Sequence, residues 1–211
     1  MVDKPERCEY IDIMRHGEVS GAPCFRGSSD HRLSAAGEQT MQRGFNRFGP
    51  WDLIYSSPLL RCREPAEALS RHLGVGVVFD ARLQEIDFGR WEGRSVSEIE
   101  ATEATALHAF WQNPFRHPPP GGEDYATFEA RVLAAWESIV ITPQRRILLV
   151  THGGVVRAIL GHLLAIPQTH LMRLEISYSA VSRIRLHHFA AGGYLPALQR
   201  LSPGEEYTLS T

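Results

Sequence analysis

"RILLVTHGG" (residues 146–154) carries the reading from which the rest of the fold follows. Ile147, Leu148, Leu149 and Val150 run without a polar break, the pattern of a strand in a parallel sheet covered on both faces. The run ends at Thr151-His152-Gly153-Gly154, and "GGVVRAILGHLLAI" (153–166) continues as a helix. Three other apolar runs, "YIDIM" (10–14), "DLIYS" (52–56) and "VGVVF" (75–79), read as further buried strands.

Helical patterns lie between them. Ser34 is placed to cap a helix whose Met41, Phe45 and Phe48 share a face at spacings of four and three. Ser57 before Pro58 predicts a second helix that ends at Gly74, with Pro65 predicted to kink or split it. A capping box, Ser95 with Glu98, opens a third that stops before Pro114. After the "PPPGG" connector (118–122), Phe128, Val132, Ala135, Trp136 and Ile139 form a helical stripe. Trp111 and Trp136 lie on helical apolar stripes and are assigned to the core, the alternative being that one of them faces a ligand if the cap closes over the site. The tail from 173 to 188 alternates like a strand, and Gly192-Gly193 turns it into another. The expected architecture is α/β, a three-layer α/β/α sandwich with a mostly parallel central sheet. The chain reads as a single domain over 1–211, with 95–140 forming a small helical cap or lobe over one end.

Composition narrows the function. No stretch approaches the ~20 apolar residues of a membrane span, and the polar start "MVDKPERCEY" does not read as a signal peptide, so a cytoplasmic protein is expected. A net charge of −2 with no Lys/Arg run argues against nucleic-acid and membrane surfaces as partners. Cys8, Cys24 and Cys62 are odd in number and form no CxxC pair, which favours reduced thiols over a disulfide frame or structural zinc. His187-His188 is a poor metal pair, because neighbours along a strand point to opposite faces.

In open α/β sheets ligands gather beyond the carboxyl ends of the strands. The first strand delivers Arg15-His16-Gly17 there, the second leads to Arg61, the third is followed by Glu85, and the fourth ends in His152-Gly153-Gly154. Each alone is weak; together they form a constellation. Two arginines offer forked donors to a phosphate, and the helix opening at Gly153 favours an anion. A neutral imidazole can attack phosphorus, and a carboxylic acid can protonate the leaving oxygen. Clustered acids for Mg²⁺ are not evident.

"MRHGE" (14–18), "SSPLLRCREPAEAL" (56–69), "LQEIDFGRWEG" (83–93) and "THGG" (151–154), in that order and spacing, resemble the histidine phosphatase superfamily, the phosphoglycerate-mutase-like proteins. The resemblance implies that His16 is the phosphorylated nucleophile and that Arg15, Arg61 and His152 clamp the phosphoryl group. It makes Glu85 the proton donor and later the base for water, and implies no metal and no cofactor. "CFRGSSDHRLSAAGEQ" (24–39) is similar to a family loop in which the residues matching Arg26 and Gly27 line the substrate mouth. "EIDFGRWEG" and the compact length look like the phosphatase branch. "FW…P…PPPGGED" (110–124) is similar to the cap of α-ribazole-5′-phosphate phosphatases, which act in cobalamin biosynthesis.

The resemblance therefore implies a phosphomonoesterase acting on a small phosphorylated metabolite, with a homodimer left open. A broad sugar-phosphate phosphatase, a mutase-type phosphotransferase and an inactive phosphate-binding or protein-interaction module remain alternatives. Glu123 has two readings: a residue at the active-site mouth, or an early-helix acid facing the dipole, the latter preferred.

Overall fold

In the computed structural model, which describes residues 9–204, the side chains of β1 (Tyr10–Arg15) and β4 (Arg146–Thr151) alternate between two cores. Ile11, Ile13, Ile147 and Leu149 face one side, where they meet α4 (Tyr125–Val140) and α5 (Gly153–Leu163). Met14, Leu148 and Val150 face the other, against α1 (Ala35–Arg47) and α2 (Leu60–Leu73). Period-two alternation on apolar strands produces the three layers, each fully buried Ile or Leu contributing about 1.5–3 kcal/mol.

The six strands run in the order β3 (Gly76–Phe79), β2 (Leu53–Ser56), β4, β1, β5 (Val181–His188), β6 (Tyr194–Ser202). The first four are mutually parallel, and β5 and β6 extend the sheet antiparallel. α1 leaves β1 towards one face and α5 leaves β4 towards the other, so the crevice between these adjacent strands is the topological switch point. One polar side chain interrupts β1. Asp12 is fully buried, and accepts hydrogen bonds from Trp51 Nε1 (2.8 Å) and from Arg183 Nε and Nη2 (2.7 Å each). That pairing removes the cost of an uncompensated buried carboxylate.

Ser34 and the Ser95–Glu98 capping box cap α1 and α3 (Val96–Gln112) as expected. Four expectations change. α2 is not capped by Ser57: Leu59 holds the cap position, and Asp30 Oδ1 takes the Leu60 N–H at 2.7 Å. Pro65 neither ends nor splits α2, because burial of Cys62, Ala66 and Leu69 outweighs one missing hydrogen bond. Residues 174–180 are not strand; β5 begins at Val181. Finally, the 95–140 stretch divides. α3 supplies a separate cluster of Trp91, Ile99, Leu107 and Phe110, whereas the α4 stripe belongs to the sheet core. Cys24 and Cys62 are free thiols, and Cys8 lies outside the described residues. Among the described residues no helix is long and apolar enough to cross a membrane.

Candidate active site

Parallel pairing sets Arg15 beside Thr151, so the next residues, His16 and His152, emerge together from the crevice. The His16 N–H donates to the Thr151 carbonyl (2.9 Å), and the two imidazoles meet edge to face with centroids 5.3 Å apart. His16 Nδ1 lies 2.7 Å from the Gly17 carbonyl. A carbonyl only accepts, so Nδ1 carries the proton and Nε2 keeps its lone pair. His152 has the opposite arrangement: Arg61 Nε donates to its Nδ1 (3.2 Å), and its Nε2 lies 2.7 Å from Ser57 Oγ. Burial, reinforced by Arg15 and Arg61, holds the pKa of His16 well below the ordinary imidazole value. Burial, then Arg61 and His16, does the same for His152. Both rings are therefore neutral near pH 7.

Glu85 is aimed at the same crevice from a loop held by several bonds. One carboxylate oxygen accepts from the Gly154 N–H (3.0 Å), in the first turn of α5, and the other from the Ile86 N–H (3.1 Å). A Cβ at Gly154 would lie 2.2 Å from Glu85 Oε1, so glycine here lets the carboxylate keep its place. Thr151 Oγ1 donates to the Leu83 carbonyl (3.0 Å). Arg131 donates to the carbonyls of Arg82 (2.8 Å), Gln84 (2.7 Å) and Glu85 (3.0 Å), and its guanidinium is clasped by Glu123 at 2.7 and 2.8 Å. This replaces both readings of Glu123: it neither reaches the mouth nor serves a helix dipole, but fixes the arginine that supports the Glu85 loop.

The cations divide into two groups. Arg15, Arg26 and Arg157 line a cavity of about 1030 Å³, together with His16, Glu85, Gly153 and Tyr178. Arg15 lies 4.1 Å above the Tyr178 ring and donates to the Ile176 carbonyl, while its buried Nε has no partner. Arg157 donates to the Leu174 carbonyl (2.8 Å), and Arg26 donates to the carbonyls of Ser20 and Ala22.

Arg61, expected at the phosphate, is completely buried beside His152. Besides His152 Nδ1, it donates to the carbonyls of Ser29 (2.8 Å) and Gly27 (2.7 Å). His152 is likewise fully buried. Gly27 does not line the mouth: its N–H donates to Glu92 Oε1 (2.9 Å), and a Cβ would lie 1.9 Å from the Ile86 carbonyl. It is glycine for packing.

Two wall residues escaped the sequence reading, and a third was preferred as core. Arg157 stands four residues after Gly153 in α5, one helical turn on, and that spacing was a usable signal. Tyr178 sits in the irregular 174–180 segment, which carries no periodicity. Trp111 is not core: it is 38% exposed on the cavity wall and stacks on His108 at 6.1 Å, whereas Trp136 is fully buried as expected.

The pattern of the Histidine phosphatase superfamily (branch 1) matches residues 11–192. "Putative phosphoserine phosphatase 2" of Hydrogenobacter thermophilus is 34% identical over 180 residues, covering 82% of this chain and 88% of that protein. "Probable phosphoglycerate mutase GpmB" of Salmonella choleraesuis is 31% identical, covering 82% and 83%. The solved structure of Bacillus stearothermophilus YhfR superposes with a TM-score of 0.79 at 29% identity, over 90% of this chain and 96% of that one. The alpha-ribazole phosphatase of Shigella flexneri has the same fold, with a TM-score of 0.71 at 22% identity over 93% and 99%. A match across this span, around a crevice built on His16 and His152, has one meaning: the chain belongs to the histidine phosphatase superfamily, branch 1.

Proposed function

We propose that the protein is a cytoplasmic phosphomonoesterase that hydrolyses a small-molecule phosphate through phospho-His16, without a metal, and that its substrate is α-ribazole 5′-phosphate. The observation that carries the chemistry is the His16 tautomer, with Nδ1 donated to Gly17 and an unprotonated Nε2 on a ring that lines the cavity. Arg15, Arg157 and the α5 terminus at Gly153 hold the phosphate oxygens. His16 Nε2 forms a bond to phosphorus as the ester P–O bond breaks, and Glu85 serves as the general acid that gives a proton to the leaving oxygen. Glu85, now a carboxylate, takes a proton from water, whose oxygen attacks phosphorus. The P–N bond breaks, and inorganic phosphate leaves.

The substrate assignment draws on the aromatic residues that line the cavity, Phe25, Phe88, His108 and Trp111. These surfaces suit a base-bearing leaving group. The likeness to a protein named as a phosphoglycerate mutase favours one second reading, phosphoryl transfer to a hydroxyl acceptor.

The test is phosphate release in EDTA from α-ribazole 5′-phosphate beside phosphoserine, 3-phosphoglycerate and sugar phosphates. A strong preference for α-ribazole 5′-phosphate, lost in His16→Ala, supports the proposal. Similar slow release from all of them removes the substrate assignment and leaves the chemistry. Faster transfer to an added acceptor than to water selects the mutase. No release alongside tight phosphate binding makes the protein a binding module.

A further inference from the structure

The segment 174–180, which is neither helix nor strand, touches His16 and both arginines placed at the phosphate. The Leu174 carbonyl accepts from Arg157 Nε (2.8 Å), and the Ile176 carbonyl accepts from Arg15. The Tyr178 ring lies against the face of the Arg15 guanidinium, with 4.1 Å from Cζ to the ring centroid. The same ring meets His16 at 5.7 Å between centroids. The Ser179 N–H donates to the His16 carbonyl (3.1 Å), and the Arg15 N–H to the Ala180 carbonyl (3.0 Å).

Arg15 is a cation in unfavourable surroundings. Burial lowers its pKa, and Arg157 and Arg61 lower it further. A Cβ at Gly153 would lie 3.4 Å from Arg15 Nε and 3.5 Å from Arg157 Nη1, so two guanidinium groups converge on the start of α5. Among the described residues the Arg15 guanidinium is held by the Ile176 carbonyl and by the Tyr178 ring. The two holds differ in kind. A carbonyl takes one N–H, whereas a ring under the face fixes the plane and leaves the edge donors free. Those edge donors are the ones that grip a phosphate. The attraction comes from the negative face of the ring and strengthens where water is excluded.

The ring is set in place at some conformational cost. Ser179, the next residue, has φ of 57°, in the left-handed region that a residue other than glycine adopts only where its surroundings impose it. Its N–H bond to His16 imposes it here, together with its hydroxyl, 2.8 Å from Thr40 Oγ1. The bend beside Tyr178 is thus tied to the backbone of His16 itself.

We propose that Tyr178 is a positioning residue for phosphate capture, whose ring face holds the Arg15 guanidinium in the plane from which its edge donors reach the phosphate beside His16. The role rests on the phosphate-binding reading of the cavity. It belongs to the ring and not to the hydroxyl, and it acts through Arg15.

The test measures Kd for inorganic phosphate, and KM and kcat for 4-nitrophenyl phosphate. Tyr178→Leu keeps the bulk and removes the aromatic face. It should weaken phosphate binding by about tenfold and raise KM by a similar factor, with kcat changed less. Tyr178→Phe should stay within about twofold of wild type. In an Arg15→Met background, Tyr178→Leu should weaken phosphate binding no further. If Tyr178→Leu fails to fold, phenylalanine carrying one and then three ring fluorines at position 178 keeps the shape while draining the negative face. Phosphate affinity should then fall with each step. Unchanged affinity in Tyr178→Leu, equal losses in Tyr178→Leu and Tyr178→Phe, a loss that simply adds to that of Arg15→Met, or indifference to fluorination overturns the proposal and leaves the phosphatase reading intact. Phosphate affinity that follows the ring in a protein without turnover supports the proposal and removes the phosphatase reading.

Discussion

His16 and His152 stand edge to face with ring centroids 5.3 Å apart, each neutral and each with its tautomer set by a different partner. Gly17 orients the first ring through a carbonyl, and Arg61 the second through a guanidinium. The pair therefore divides into one ring that lines the cavity and one buried behind it.

The two histidines make stability depend on acidity. Their folded-state pKa values lie below the ordinary 6.5, through burial and then through arginine and histidine neighbours. The unfolded chain thus binds protons that the folded chain refuses, and stability is complete above pH 6.5 and falls as pH drops below it. The limiting slope is about 1.4 kcal/mol per pH unit for each histidine. Thermal melts from pH 8 to pH 5 should show a falling Tm, and His16→Gln should make the decline shallower. A flat profile would contradict the buried neutral pair.

Arg61 is expected to act on stability as well as on turnover. Truncation to alanine empties a fully buried site and strips the Ser29 and Gly27 carbonyls of their donor. Urea unfolding of Arg61→Ala should report a loss of about 3–5 kcal/mol. A variant of wild-type stability that has lost only phosphate affinity would return Arg61 to the role implied by family resemblance.

Gly154→Ala probes the placement of Glu85. The added methyl would stand 2.2 Å from Glu85 Oε1, so the carboxylate has to shift. A displacement of about 1 Å at a reacting group costs on the order of 10²-fold in rate. kcat should fall by that order while KM changes little; unaltered kcat would mean that the carboxylate position is not critical.

Glu85→Gln separates proton donation from binding. The amide keeps the shape but cannot supply an acidic proton, so poor leaving groups should suffer most. Alkyl phosphates should slow by about 10²–10⁴-fold and 4-nitrophenyl phosphate by much less. Equal slowing of both would take the acid role away from Glu85.

Much of this was legible in the chain. The strands β1 and β4 announced themselves because burial on both faces requires uninterrupted apolar runs, whereas β3, read as a buried strand, is an edge strand with Val78 and Phe79 exposed; caps at Ser34 and Ser95 announced two helices because unpaired N–H groups need an oxygen. The order of residues along the strands likewise placed Arg15, His16 and Glu85 on one cavity wall. These are local properties, carried by spacing and residue type alone.

Other features depended on which distant segments meet. Arg61 is read as a phosphate ligand from its motif, and its burial against the 26–29 carbonyls and His152 comes only from packing. Glu123 acquires its purpose only through Arg131 and the backbone of the Glu85 loop. Trp111 lies on an apolar helical stripe but reaches the cavity because α3 crosses the mouth rather than the sheet. Tyr178 meets Arg15 from a segment with no periodic pattern at all. Sequence by itself determined the elements and the strand ends that carry Arg15 and His16, since periodicity and residue order are short-range. Tertiary structure alone decided which cations line the cavity and what each buried donor meets, because those contacts join residues that neighbour one another only after the chain has packed.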